Sequence, residues 1–380
     1  MKVGWQTKTL NQITENLDNK RVPITKADRV NGEYPYYGAS GIVDYVAGYI
    51  FDCDTLLVSE DGANLLARST PIAFPASGKY WVNNHAHILK FENMITQRFV
   101  EMYLESIPLD RYITGAAQPK LNQMALNSIP IPVAPFFEQQ RIVRILGEAF
   151  DGITTAKANA EKNLQNARAL SESYLQSVFT QGGEGWEQKT LEEISTTFGR
   201  GKSKHRPRND KILYSGKYPF IQTGDIRNAE HFITEYSQTY SEAGLAQSKL
   251  WPKGTICITI AANIAETGIL GFDACFPDSV IGLVTNPKEA EIGFVEYLLQ
   301  SFKVRLQAKG KGSAQANINM GTFENERFPF PSVTEQKQIV AKLGILCEET
   351  QHLESIYKQK LAALDELKKS LLHQAFSGEL

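Results

Sequence analysis

The chain has 380 residues, 42% of them hydrophobic and 22% charged, and a formal net charge of −2. That length accommodates two or three domains, and the near-neutral charge excludes a protein that coats nucleic acid by bulk electrostatics, though not one with a local basic face. No apolar run is long enough for a membrane span, and the opening MKVGWQTKTL lacks a basic–apolar–small leader pattern, so the cytoplasm is the expected compartment.

In chain order, the first recognisable phrase is GWQTKTLNQIT at 4–14. A modest basic segment follows, with Lys20, Arg21, Lys26 and Arg29 set against Asp18 and Asp28. TLLVS (55–59) and HAHILKF (85–91) have the β-branched and apolar content of strands and are bounded by turn residues. ITQRFVEMYLESI (95–107) has helical apolar spacing. The IPIP at 129–132 cannot lie inside a helix and suits an extended exit. From Glu138 to Gln181 the chain then runs without proline.

The chain then repeats itself. GWEQKTLEEIS at 185–195 answers the opening phrase, YPFIQTGDI (218–226) answers YPYYGASGI (34–42), and GSAQANIN (312–319) answers GAAQPKLN (115–122). FPFP (328–331) answers IPIP, and EQKQIVAKLG (335–344) answers EQQRIVRILG (138–147) with no gap needed afterwards. A period this long marks a duplicated domain rather than a solenoid. The second copy supplies its own strand candidates, TICITIA (255–261) and VIGLV (280–284), and its own helix, GFVEYLLQSFKVRL (293–306). The reading is α+β: two strand-rich bodies, 1–134 and 184–331, each followed by a long helix, 135–183 and 332–380.

Counting threes and fours along the tails gives heptad seams. The first seam is Ala-rich and includes Ile142, Leu146, Ile153 and Leu170. The second is Leu-rich and includes Ile339, Leu343, Leu346, Leu353, Leu364, Leu367 and Leu371. Forty-odd residues at about 1.5 Å each make a rod of roughly 60 Å, longer than one such body can cover. Pairing the two tails as an antiparallel coiled coil, with a pseudo-two-fold relation between the copies, is the expected solution.

Catalytic signatures are missing from the sequence. GRGKSK (199–204) ends like a phosphate loop, but position 196 is Thr196 where that loop needs glycine. GxGxxG, GxSxG and HExxH do not occur, nor does the Asn/Asp-Pro-Pro-aromatic motif of amino-methyltransferases. PDSV (277–280) starts like a nuclease motif without its Glu-x-Lys, and His85 and His87 have no third metal ligand in view. Cys53, Cys257, Cys275 and Cys347 are widely spaced and read as buried thiols, with neither a disulfide frame nor a metal site.

One charge cluster stands out. GRGKSKHRPRNDK (199–211) carries Arg200, Lys202, Lys204, His205, Arg206, Arg208 and Lys211 against Asp210 alone, in a Gly- and Pro-marked loop. Lys309 and Lys311 add a second basic segment. Such groups suit phosphate contacts, and arginine can also read guanine edges. Neither body is strongly basic as a whole: residues 1–134 hold 12 basic and 13 acidic side chains, residues 185–330 hold 17 and 16. The chain alone is therefore expected to hold DNA weakly, with partners completing the clamp.

The ordered recurrence of GW-x-x-K-T-L-x-x-I, G-[AS]-A-Q, [IF]-P-[IF]-P and EQ-x-x-I-V, running each time into a long helix, resembles the specificity subunit of type I restriction–modification enzymes over the whole chain. That resemblance implies that each body is a target recognition domain reading one half of a bipartite double-stranded DNA site. It implies that the helices set the half-site spacing and dock two methyltransferase (modification) subunits, joined by restriction subunits in the complete enzyme. S-adenosylmethionine would belong to the methyltransferase partner, ATP and Mg to the restriction partner, and no cofactor or catalysis to this chain. The alternative is a non-DNA coiled-coil scaffold joining two protein-binding domains.

Overall fold

A computed structural model describes residues 4–115, 117–205, 207–261, 264–311, 318, 320–324 and 326–380. The chain forms two compact units, residues 1–161 with 358–380, and residues 162–357. The unit boundary cuts both long helices, Phe136–Gln181 and Val333–Ser377, so each unit holds one body and a part of each helix.

In the first unit, TLLVS forms the strand Thr55–Ser59, buried at every position. It lies between Ala86–Lys90 and Ala73–Ala76 in an antiparallel sheet that Glu15–Asn16 extends. Strands covered on both faces read as continuous apolar runs, which is why this segment shows no alternation. A second four-stranded sheet runs Gly41–Val46, Asn31–Gly38, Lys79–Val82, Phe51–Asp52. The helix Met94–Ser106 is capped by Asn93, whose side chain accepts from the Thr96 amide, and it buries Phe99, Val100, Met102 and Leu104 in the main core.

The second unit has a five-stranded sheet, in the order Ser195–Arg200, Val280–Thr285, Ile256–Thr259, Thr267–Leu270, Phe232–Ile233, and a separate four-stranded one. Its main helix is Ile292–Lys311, with Phe294, Val295, Leu298 and Leu299 fully buried.

The repeated phrases perform the same task in each unit. Gln6–Thr9 pairs antiparallel with Pro130–Val133, and Glu187–Lys189 with Phe328–Phe330, so body entrance and exit are stitched together. The proline-rich exits tolerate this because a two-stranded ribbon leaves one edge unpaired. Leu10 and Leu191 are both fully buried. Trp5 packs edge-on to Phe99 at 5.9 Å and Trp186 to Phe294 at 6.2 Å. The opening Trp and Leu are therefore packing anchors. In each unit the far end of the other copy's helix completes the cluster: Phe376 meets Phe99 at 5.1 Å, and Phe179 meets Phe294 at 5.2 Å.

The two helices pack against one another in antiparallel sense within each unit. In the first, Arg141 donates to the Leu380 carbonyl at 2.6 Å, Lys157 pairs with Asp365, and Lys368 lies over the Phe150 ring. In the second, Arg168 makes a bidentate pair with Glu354 at 2.9 and 2.7 Å. The helix face differs from the sequence expectation at three of the seam positions. Ile142, Leu146, Ile153 and Leu343 are buried, and Ile339, Leu346, Leu364 and Leu371 are half-buried. Leu170, Leu353 and Leu367, by contrast, are 66%, 41% and 47% exposed. One position later, Ser171 and Glu354 are half-buried and Glu354 meets Arg168 of the other helix, while Lys368 is itself exposed and reaches the other helix only where its ammonium lies over the Phe150 ring. The departure is local, since Ile142, Ile339 and Leu346, which stand whole heptads away from Leu170, Leu353 and Leu367, stay buried or half-buried.

Candidate DNA interface

The two expected basic segments meet different fates. In the first unit, the Arg21 side chain is only 15% exposed. Its guanidinium donates to Glu60 at 2.6 Å, to the Ala86 carbonyl at 2.9 Å and to the Asp18 carbonyl at 3.2 Å. Arg29 is bound to Asp44 at 3.1 Å and lies 4.5 Å over the Tyr36 ring. Arg21 and Arg29, expected to face DNA, are engaged by partners within the first body. Their partners come from distant strands, which a local charge count cannot reveal. Lys20 and Lys26 remain exposed.

Arg21 belongs to a buried ionic cluster. His87 Nδ1 lies 2.5 Å from Asp18, while its Nε2 donates to the Leu121 carbonyl at 2.7 Å. Lys120 reaches Glu60 at 3.1 Å, and the Ile88 amide donates to Asp18 at 2.8 Å. Burial alone would raise the Asp18 carboxyl, but hydrogen bonding and charge from His87, with the Ile88 amide and Arg21, hold it below the usual range. Glu60 is likewise desolvated by burial yet held low by Arg21, His87 and Lys120. Asp18, Glu60 and His87 approach closely enough to hold a metal ion. However, both imidazole nitrogens already face oxygen acceptors and both carboxylates are taken by cationic donors, so the cluster compensates itself.

In the second unit the cationic loop is pinned. The Lys204 and His205 amides both donate to Gln247 Oε1, at 2.6 and 3.1 Å, and Ser248 donates to the Lys202 carbonyl at 2.9 Å. His205 lies 2.9 Å from Asp210, and the Tyr214 hydroxyl donates to the Arg208 carbonyl at 2.6 Å. Gly201 permits the fit, since a Cβ there would meet the Phe276 and Pro277 carbonyl oxygens at 2.3 and 2.4 Å. Arg200 donates to the Asp278 carbonyl at 2.7 Å and Arg208 to its carboxylate at 2.9 and 3.0 Å, with Arg208 still half-exposed. Lys202, Lys204 and Lys211 are exposed. Arg206 lies outside the described residues. Lys309 and Lys311 end the helix Ile292–Lys311, and their side chains also lie outside the described set. Most of the repeated GSAQANIN does as well.

Sequence reasoning missed Lys249, whose ammonium sits 3.5 Å over the Trp251 ring. Burial first, then the charge of Lys202, lowers its pKa, which places the two ammonium groups in each other's field. It lies outside the 199–211 cluster, with only Lys253 nearby in the chain, so no charge run announced it. A pinned set of guanidinium and ammonium groups can contact phosphates without the ordering cost of a floppy loop.

A strand-rich body present twice on long helices that pack together, with a pinned cationic loop on the second copy, is the architecture of a protein built by duplication. The chain belongs to the type I restriction modification DNA specificity domain family, which it matches over residues 2–165 and again over 183–362. It is 28% identical over 356 residues to a protein of Haemophilus influenzae assigned as a type I restriction enzyme specificity subunit, covering 90% of this chain and 86% of that one. The MjaVIII specificity subunit of Methanocaldococcus jannaschii is 21% identical, with 99% and 93% coverage. Among solved structures, a chain from a type I restriction–modification system studied for complex assembly and conformational transition matches with a TM-score of 0.77 at 17% identity, over 100% of this chain and 99% of that one. The HsdS subunit of Thermoanaerobacter tengcongensis matches with a TM-score of 0.62 at 16% identity, covering 100% and 98%. At these identities the structural matches speak for the fold.

Proposed function

We propose that this chain chooses the DNA address of a type I restriction–modification complex, each body reading one half of a bipartite site. The observation that carries this reading is the duplication itself: two bodies of divergent sequence, each closed by the same ribbon and the same aromatic anchor. A uniform frame with variable faces permits two different half-sites to be read, while the helix pair fixes their separation. The same helices dock two methyltransferase subunits, which bring S-adenosylmethionine and the methylation chemistry. Restriction subunits bring ATP and Mg. On this reading the chain itself is non-catalytic, works in the cytoplasm and binds no cofactor of those reactions. Footprinting of the chain assembled with its modification subunits tests the reading. Two protected blocks separated by an unread spacer are expected; one continuous block, or protection without sequence preference, contradicts it.

A further inference from the structure

The first body carries an imidazole–carboxylate pair that the second body lacks. His85 stands just before the strand Ala86–Lys90, its amide donating to Asn83 Oδ1 at 2.8 Å and its carbonyl accepting from the Glu60 amide at 2.9 Å. Its side chain is 47% exposed, and Nδ1 lies 3.0 and 2.8 Å from the two carboxylate oxygens of Asp61. An ionised carboxylate only accepts, so Nδ1 carries the hydrogen. Nε2, for which the described residues offer no partner, is then an acceptor in the neutral ring. Asp61 is itself held by the repeated phrase at 115–122: its backbone bridges Lys120, and the Gly62 amide donates to the Pro119 carbonyl at 3.0 Å.

The two copies can be compared position by position because their strands pair in the same register. Ala86 lies opposite Ser59 as Val280 lies opposite Thr259, and the Glu60 amide meets the His85 carbonyl as the Ile260 amide meets that of Ser279. The Leu121 amide donates to the Glu60 carbonyl as the Ile318 amide does to that of Ile260. On that register Ser279 stands in the place of His85, Ala261 in that of Asp61 and Asp278 in that of Asn84. Asp278 is the residue that grips Arg200 and Arg208 of the pinned cationic loop. The strand end that anchors cations in the second body therefore carries a fixed imidazole in the first, where Arg21 and Arg29 are engaged internally.

We propose that His85 reads a base edge of the first body's half-site through Nε2, with Asp61 as its positioning residue; the assignment rests on the reading of the chain as the DNA-addressing subunit. Adenine N6 and cytosine N4 place an amino donor in the major groove of every base pair, so an acceptor there has a partner whichever half-site this body takes. The Asp61 charge beside the ring disfavours a phosphate at the same place. Fixing the ring in advance removes the ordering cost of the contact. A shared frame with the pair on one copy alone suits a contact particular to one half-site.

Mapping of the methylated motif, with filter binding across a salt series, tests the assignment in the chain assembled with its modification subunits. The first body's block is the one that changes when that body is exchanged. In H85A, discrimination should fall about tenfold or more at one position of this block, with the other block and the salt slope unchanged. D61A should relax the same position, and D61N, which keeps an acceptor for Nδ1–H, should retain most of the discrimination. The exposed His85 side chain should leave the unfolding temperature of H85A near that of the wild type. If H85A does not fold, H85Q, which keeps a donor towards Asp61, is read in its place. Uniform weakening across sequences with a smaller salt slope would make His85 a phosphate contact and overturn the proposal. An unchanged motif in the variant, with or without a loss of stability, overturns it too and leaves the reading of the chain intact. A wild-type motif that is not bipartite overturns that reading and the proposal with it.

Discussion

His87 meets Asp18 at 2.5 Å inside the first body, and both belong to a cluster that Arg21, Glu60 and Lys120 complete. The cluster ties the short strand Glu15–Asn16 and its following turn to the ends of Thr55–Ser59 and Ala86–Lys90. Arg21→Ala therefore leaves the Glu60 and Asp18 carboxylates short of a cation in a buried place. The expected cost is about 3–5 kcal/mol, read as lost hydrogen-exchange protection in strand 86–90 with no change in the salt dependence of DNA binding.

The same cluster gives the first body an acid limit. Asp18 and Glu60 both titrate below their ordinary values. A carboxylate with a depressed folded pKa adds stability that is fully present above its unfolded pKa, near 4, and is lost as pH falls through the folded value. Exchange protection in the first body should hold from neutral pH down to about 5 and fall progressively below that. In Asp18→Asn the acid slope should be shallower.

The helix pair distinguishes its two flanks. Leu343 is buried and Leu353 exposed. Leu343→Asp buries an uncompensated charge and should cost several kcal/mol, whereas Leu353→Asp should fall within about 0.5 kcal/mol of the wild type. Thermal unfolding of the two variants checks this. Phe179→Ala, which empties the place beside Phe294, should cost about 3–5 kcal/mol.

The pinned loop should act through phosphate contacts. With modification subunits present, replacing Lys202 and Lys204 together by alanine should lower DNA affinity and reduce the slope of log affinity against log salt by roughly two. Gly201→Ala should also weaken binding, because its Cβ displaces the loop from the Phe276 and Pro277 carbonyls. Filter binding across a salt series reads both effects.

Much of the frame could be read from the sequence because it was written twice. The Gly-Trp openings, proline exits and long proline-free tails each carry local physics, and repetition separated them from coincidence. The seam was legible only in part: Leu353 and Leu367 look like core residues but are exposed, while Glu354 is the half-buried neighbour that meets Arg168. Cationic site residues were legible as charge but not as availability. Arg21 and Lys202 look alike in the sequence; the difference is that Glu60, just past the strand Thr55–Ser59, and Ala86, in the strand Ala86–Lys90, come from distant parts of the chain to meet Arg21. Lys249 and the His85–Asp61 pair come together through folding from separate stretches of chain, so no spacing rule could have found them.

Genome-wide mapping of methylated bases in cells carrying this chain with its modification subunits tests the central claim most directly. Two short specified blocks separated by a fixed unspecified spacer are expected, and exchanging the second body for that of a relative should change only one block. A single continuous motif, or a body exchange that alters both blocks together, would contradict the account.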